Sequence, residues 1–270
     1  GKVIPVLEKS GTITKVDCYI WDAVCRWLRR RLDEGKRVIP ISVNVSRKDI
    51  DNINIAEHFS MLAERYDIPP HLLHIEITES ACVETGHMIR YAVDALHNYG
   101  FSILLDDFGT GYSSLNSLKD IAVDVLKLDM RFLSSFNQRS RRILTAVIQM
   151  AKEIDIHTLA EGVETQEQLR YLRNIGCEKV QGFYFGKPMP WADALAHLKD
   201  IHISIESPND RKYYDDIGKV NFLSAVPFMT QAERDALKTA RQLNSIPLAI
   251  AEGRIAALGD VGDFKAEYTY

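Results

Sequence analysis

Two hydrophobic periodicities alternate along the chain between Lys36 and about Gly186. Short runs rich in β-branched and aromatic residues are typical of strands. Apolar residues three or four positions apart separate these runs and predict helices, as in Ile143, Val147, Met150 and Ala151. The six predicted strands are Arg37–Ser46, Leu72–Thr78, Phe101–Asp106, Val123–Leu128, Ile156–Glu161 and Lys179–Phe185.

Strand–helix alternation predicts an α/β fold with a parallel sheet, because parallel strands need crossover connections. Six such units can lie in an open sheet or belong to a (β/α) barrel, which typically has eight units in about 250 residues. No strand pattern precedes Ile4. If the fold is a barrel, we therefore expect one or two N-terminal strands to be missing from this chain.

The pattern changes after Pro190. Trp191–Leu198 predicts a short amphipathic helix, and Ile201–Asp216 is polar. Further on, Ile246–Leu258 predicts two short strands around a Glu-Gly turn. From about residue 201 we therefore expect a linker and a short C-terminal α/β fragment of a second module.

The composition is that of a soluble globular protein, with 46% hydrophobic and 26% charged residues. A formal charge of −4 gives no support for binding DNA, RNA or an anionic membrane non-specifically. The apolar runs fall far short of the roughly 20 residues of a membrane helix. Four cysteines without a C-x-x-C pair favour a reducing, cytoplasmic location.

Polar residues lie near the carboxyl end of each predicted strand. One such residue is usually a turn or capping group, but the pattern recurs in six consecutive strands. Parallel α/β folds place their sites where the loops after these ends converge. The six residues are Asn44, Glu76, Asp106, Lys127, Glu161 and Gln181.

Oxygen ligands dominate this set. Clustered carboxylates repel each other unless a cation compensates, and oxygen ligands suit Mg²⁺ or Mn²⁺. Adjacent aspartates, here Asp106 and Asp107, can bridge two ions that activate water and hold a phosphodiester. Lys127 could then stabilise the attacking water or the developing phosphoryl charge. The sequence indicates a metal site with the candidate ligands Asn44, Glu76, Asp106, Asp107 and Glu161.

A glycine-rich segment, Phe108–Ser114, directly follows the two aspartates. A G-x-G pattern alone usually marks a flexible turn. Its position beside candidate metal ligands makes a substrate loop an equally good interpretation, with Phe108, Gly109, Thr110 and Gly111 as its first residues.

Six motifs in this chain resemble, in order and spacing, those of EAL domains, the bacterial cyclic di-GMP phosphodiesterases. The similarity begins at Ile4–Glu8 and covers roughly residues 1–200. The motifs are Ser42–Ser46, Glu76–Glu79, Asp106–Leu115, Lys127–Asp129, Glu161–Glu164 and Gln181–Pro190.

The resemblance implies a modified TIM-type (β/α) barrel and hydrolysis of cyclic di-GMP to linear pGpG with Mg²⁺ or Mn²⁺. It implies that Asn44, Glu76 and Asp106 bind a first metal. Asp106, Asp107 and Glu161 would serve the second metal. It implies that Lys127, Glu161 and Gln181 are catalytic. Of these, Lys127 and Gln181 would position the attacking water.

The resemblance also implies regulation through a loop and a dimer. Glu79 would brace the Phe108–Ser114 loop, which in the family links metal binding to contacts in a homodimer. Sensor or GGDEF-type domains would be attached in the parent protein.

One departure concerns the Glu-Ala-Leu signature, which precedes the Ile-Pro-x-x-Glu segment in the family and has no copy before Ile4. The chain is either N-terminally truncated or a member that binds without cleaving. We favour truncation because the other catalytic positions are intact, and we expect the chain as given to be inactive. The alternatives are a catalytically inactive cyclic di-GMP receptor and a protein-interaction domain.

The predicted domain organisation is an N-terminally incomplete EAL-type domain at residues 1–200, followed by a second module at residues 201–270. Asp216–Phe222 and Ile246–Ala251 are weakly similar to the opening of a PAS-type sensor. We therefore expect a larger, cytoplasmic signalling protein.

Overall fold

The computed structural model describes residues 6–7, 10–85, 87–110 and 114–201. Its strands are β1 Ile41–Val45, β2 Leu73–Thr78, β3 Ser102–Phe108, β4 Val125–Leu128, β5 His157–Ala160 and β6 Lys179–Val180. Its helices are α1 Ile13–Asp33, α2 Arg47–Asn52, α3 Ile55–Arg65, α4 Glu79–Thr85, α5 His87–Asn98, α6 Ser114–Asp120, α7 Arg131–Ser134, α8 Gln138–Glu153, α9 Gln166–Asn174 and α10 Trp191–Asp200. A 3₁₀ turn, Pro70–Leu72, precedes β2.

The strands form one six-stranded sheet in the order of the chain, which confirms the predicted α/β class. In the first pair, β1 and β2 run parallel with Asn44 opposite Glu76. In the second, β2 and β3 run parallel with Thr78 opposite Asp106. Because parallel strands point the same way, the carboxyl ends of β1, β2 and β3 share one edge.

The chain divides into two compact units, residues 1–127 and 128–270. In the first unit, the helices bury aromatic side chains beside the sheet. Trp21 of α1 is 1% exposed, and its ring lies 4.7 Å from that of Phe59 in α3. The Trp21 Nε1 atom donates a hydrogen bond of 3.0 Å to the main-chain oxygen of Asn44. This contact connects the helical layer directly to a strand that carries a candidate site residue.

A capping box fixes the turn after β1. The main-chain nitrogen of Asp49 donates to Ser46 Oγ, and the Asp49 carboxylate accepts from the nitrogen and hydroxyl of Ser46, both at 2.7 Å. Asp49 is fully buried, and its Oδ2 atom accepts both of these bonds, so one oxygen of the buried carboxylate is satisfied by the turn itself. The chain therefore leaves β1 at a defined angle two residues after Asn44.

In the second unit, β5 and β6 run parallel, with Ala160 opposite Val180. Helix α8 is present as predicted, and Leu144 and Ile148 are fully buried in it, as is Leu172 of α9. Of the residues from which α8 was predicted, Ala151 is buried, whereas Ile143 is 46% exposed, because the buried face is centred one position further along the helix. A second capping box, Thr165 with Gln168, begins α9.

The extent of one predicted strand needs correction. The predicted strand Lys179–Phe185 ends at Val180, because the chain turns at Gly182 and bonds to Val163 instead. The predicted second module lies outside the described residues, apart from Ile201. No described helix is both long and apolar enough to cross a membrane.

We predict that Cys25 and Cys82 resist alkylation in the native protein. Burial, followed by the charge of Asp22, raises the pKa of Cys25 to about 11. Burial, followed by the charge of Glu79, raises the pKa of Cys82 to about 12. At pH 8 about one Cys25 thiol in a thousand is the reactive thiolate.

Mass-spectrometric mapping after iodoacetamide treatment at pH 8 measures this protection. The half-exposed Cys18 is the internal control and reacts first. All four cysteines react after unfolding in urea. Native labelling of Cys82 as fast as that of Cys18 would contradict the buried position of α4.

Candidate active site

The centre of the site in the first unit is the side chain of Lys127, which is 7% exposed. Its Nζ atom lies 3.1 Å from Glu76 Oε2 and 2.8 Å from Asp106 Oδ1. The two carboxylate side chains are 12% and 16% exposed. Lys127 is thus a nearly buried ammonium ion held between two nearly buried carboxylates.

The strand pattern explains how these side chains meet. In β2, buried and half-buried residues alternate, so Glu76 faces away from the apolar side that Ile75 and Ile77 occupy. All four residues of β4 are buried, including Lys127, which makes it a rare charged residue in a core strand. Asn44 is opposite Glu76 in the sheet register, so their side chains lie on the same face.

The charges of this cluster do not cancel. One ammonium compensates one of the two carboxylates, so Glu76, Asp106 and Lys127 together carry a net charge of −1 when all are ionised. Removing one partner of a buried ion pair costs about 3–5 kcal/mol, because the remaining charge loses its compensation. The cluster is therefore held together electrostatically and retains an attraction for a further cation.

Asp107 is the penultimate residue of β3, and a turn begins at it. Its φ angle of +58° is in the left-handed region, which L-residues other than asparagine and aspartate seldom adopt. Its main-chain nitrogen donates to Asp106 Oδ1 at 2.9 Å, and its oxygen accepts from Thr110 nitrogen at 3.1 Å. This turn orients one carboxylate oxygen of Asp106.

The glycine-rich segment is anchored by Glu79, the first residue of α4. Glu79 is 1% exposed, and its Oε2 atom accepts a 3.1 Å hydrogen bond from Gly109 nitrogen. Phe108 is buried, whereas Gly109 and Thr110 are exposed. Gly111 lies outside the described residues. The contact is the one that the proposed bracing role requires, and the role itself stays a prediction.

The second unit contains Glu161 and Gln181 at the ends of adjacent strands. The main-chain nitrogen of Glu161 donates to Leu128 oxygen at 3.0 Å, and that of Gln181 donates to Ala160 oxygen at 2.8 Å. Both residues line a cavity of about 560 Å³. Other lining residues are Met130, Phe183, Phe185, Lys187, Met189 and His197.

Close backbone approach explains the glycine of the Gln181-Gly182 pair. A Cβ atom on Gly182 would lie 2.1 Å from the oxygen and 2.3 Å from the nitrogen of Val163. The loop is held here by bonds from Val163 nitrogen to Gln181 oxygen at 3.0 Å and from Tyr184 nitrogen to Val163 oxygen at 2.9 Å. The segment after β6 therefore rests directly on the segment after β5.

In the first unit, two members of the predicted metal set contact the same lysine. Glu76 and Asp106 meet at Lys127, and Asn44 and Asp107 are adjacent to them in register or sequence. Glu161 and Gln181 belong to the second unit. Within the described ranges, no three His, Cys, Asp or Glu side chains converge as a metal-binding group. The oxygen donors fit Mg²⁺ or Mn²⁺ by their chemistry.

Two features of these sites were not predicted from the sequence. The ion pairs of Lys127 were not predicted, although a lysine within an apolar strand is a signal of a buried partner. His197, which lines the cavity of the second unit, was also missed, because a lone histidine on an amphipathic helix has no distinguishing pattern.

The sheet is parallel, and carboxylates and a lysine lie near the carboxyl ends of its strands. Parallel α/β proteins place their active sites at these strand ends. The chain belongs to the EAL domain family, whose model matches residues 1–188.

Named relatives agree with this assignment. The chain is 33% identical to the bifunctional diguanylate cyclase/cyclic di-GMP phosphodiesterase MucR of Pseudomonas aeruginosa, over 73% of this chain and 29% of MucR. It is 33% identical to the cyclic di-GMP phosphodiesterase NbdA of the same organism, over 77% of this chain and 27% of NbdA. The chain thus spans less than a third of the length of these relatives.

A solved structure supports the fold. The PaMucR phosphodiesterase in complex with c-di-GMP matches with a TM-score of 0.66 and 32% identity. The match covers 70% of this chain and 78% of that chain. The fold is therefore that of EAL structures, which resemble TIM barrels, as the sequence predicted.

We predict that Gly182→Ala destabilises the second unit more than Gly35→Ala destabilises the first. Gly182 has no room for a Cβ atom, so the substitution must displace the Val163 backbone. Gly35, with a φ of +62°, has nothing within 4 Å of a Cβ, so alanine there costs only the left-handed conformation, about 1–2 kcal/mol.

Urea unfolding of the two variants, followed by circular dichroism, gives the comparison. A free-energy loss for Gly182→Ala no larger than that for Gly35→Ala would show that the loop after β6 does not lie against Val163.

Proposed function

We propose that the protein hydrolyses cyclic di-GMP to linear pGpG with the help of Mg²⁺ or Mn²⁺. The observation that carries the proposal is the Lys127 cluster, in which Glu76 and Asp106 hold a buried ammonium at the carboxyl ends of their strands. Membership of the EAL family and relatives named as cyclic di-GMP phosphodiesterases supply the substrate class.

Asn44, Glu76 and Asp106 would hold a first metal ion, since their oxygen donors are adjacent in register or joined by Lys127. Asp107 would help to hold a second metal ion. The role of Glu161 as a ligand of that second ion stays a prediction. Bound divalent ions supply Lewis acidity and lower the pKa of bound water.

Lys127 contributes a fixed positive charge beside the carboxylates. Its ammonium is 7% exposed, so little water competes for it, and electrostatic interactions are stronger there than in solvent. Fixed in this way, it can orient an attacking water and stabilise charge that develops on a phosphoryl oxygen. Its two carboxylate partners hold it in position.

Other residues would bind and enclose the substrate. Glu79 holds Gly109, so the start of the glycine-rich segment is fixed directly after Asp107. In the second unit, Gln181 and Glu161 line a cavity large enough for a nucleobase and its ribose. Homodimer formation, attached signalling domains and a cytoplasmic location stay predictions.

We predict that hydrolysis of cyclic di-GMP requires Mg²⁺ or Mn²⁺ and is lost in Asp106→Asn. The amide removes a charge from the predicted ligand set and from the partnership with Lys127. Asp94→Asn, an exposed position of α5, is the matched control and should leave hydrolysis unchanged.

Nucleotide separation after incubation of the longest available form of the protein gives the result, with and without prior chelation. Full hydrolysis after exhaustive chelation would refute the metal dependence. Tight cyclic di-GMP binding without cleavage at any metal concentration would favour a receptor instead of an enzyme.

We predict that Lys127→Ala lowers the rate of hydrolysis by about 10²–10⁴ while substrate binding stays measurable. The lost ammonium acts on the reacting water and phosphoryl group, whereas binding depends on the wider surface. Lys15→Ala, an exposed position on α1, is the control.

Turnover and equilibrium affinity are measured on the same preparations, and circular dichroism checks that the variant is folded. Loss of affinity with normal turnover at saturation would assign Lys127 to binding rather than to catalysis.

A further inference from the structure

Helix α10 forms one side of the cavity that contains Glu161 and Gln181. Ala194, His197 and Leu198 of this helix line the cavity. The opposite side comes from the segment after β6, Gly182–Met189, which we call the β6 loop. The side chain of His197 forms a hydrogen bond to this loop.

The His197 Nε2 atom lies 2.5 Å from the main-chain oxygen of Phe185. A carbonyl oxygen can only accept, so Nε2 must carry the hydrogen in this contact. The ring is also close to the next residue, since a Cβ atom on Gly186 would lie 3.0 Å from Nε2. Glycine at position 186 therefore allows the loop to approach the histidine closely.

The two ends of the loop are held by different means. Its first half is fixed by main-chain bonds to Val163 and by the bond from Phe185 nitrogen to Gly182 oxygen at 3.1 Å. At Phe185, the main-chain oxygen accepts the hydrogen bond from His197 Nε2. After the loop, Pro190 leads into α10, so the helix that supplies His197 also ends the loop.

We propose that His197 is a positioning residue that holds the β6 loop in its substrate-binding conformation. The proposal rests on the proposed function, because the loop carries Gly182 next to Gln181 and forms a wall of the same cavity. If the loop is already ordered before the substrate binds, binding costs less conformational entropy. His197 therefore acts on substrate affinity and has no contact with the reacting atoms.

The test compares two substitutions with a matched control. His197→Leu removes the donor, whereas His197→Gln keeps an N–H donor at a similar distance from the main chain. Ala196→Leu places the same leucine at the adjacent exposed position and is the control. Cyclic di-GMP hydrolysis by the longest available form of the protein is measured as KM and kcat for each variant, with a thermal melt for each.

For His197→Leu, we expect KM to rise about tenfold, kcat to stay within about twofold and the melting temperature to be nearly unchanged. His197→Gln should recover most of the affinity, and Ala196→Leu should match the unaltered protein. Equal KM values for all four proteins would overturn the proposal. A His197→Gln protein as impaired as His197→Leu would also overturn it, because a donor would then be irrelevant.

A nitrogen NMR spectrum of the imidazoles separates this proposal from the proposed function. The hydrogen bond requires neutral His197 to be in the Nε2–H tautomer, and this readout does not depend on activity. An Nδ1–H tautomer would overturn the His197 proposal even in an active enzyme. The Nε2–H tautomer in a protein that neither binds nor cleaves cyclic di-GMP would refute the positioning role together with the function.

Discussion

The buried ammonium of Lys127 is the interaction on which the first unit's site depends. A lysine that is 7% exposed in a core strand is tolerated only where carboxylates compensate it, and Glu76 and Asp106 do so at 3.1 and 2.8 Å. The same three charges define what the site can do. They leave a net negative charge for a divalent ion and a fixed positive charge for a phosphoryl group.

The rest of the fold places these charges near the carboxyl ends of the strands. Parallel pairing puts Asn44 opposite Glu76 and Asp106 opposite Thr78. Hydrogen bonds and close packing then fix the segments after the strands. The Ser46–Asp49 capping box turns the chain after β1, Glu79 holds Gly109 after β3, and Gly182 lets the segment after β6 rest on Val163.

Much of this arrangement could be predicted from sequence, because it depends on the period of the apolar residues. Alternation in β2 is enough to place Glu76 on the side away from the apolar face, and the parallel direction of the strands follows from the strand–helix alternation. Those rules also located all six polar strand-end residues and the loop after Asp106.

The other features of the site depend on distances between side chains in space. The pattern of apolar residues along the chain does not contain these distances. Which carboxylates face Lys127 depends on the register of three strands and on the left-handed turn at Asp107. The early end of β6 depends on space beside Val163, and the bond from His197 joins residues twelve apart through a loop without periodicity. Local propensity therefore could not predict them.

Anomalous diffraction from crystals grown with Mn²⁺ and cyclic di-GMP tests the central claim most directly, because it locates the metal itself. We predict a manganese peak within coordination distance of carboxylate oxygens of Glu76 and Asp106, with a phosphate of the nucleotide beside it. Cyclic di-GMP bound at another surface, with no manganese at these two carboxylates, would contradict it.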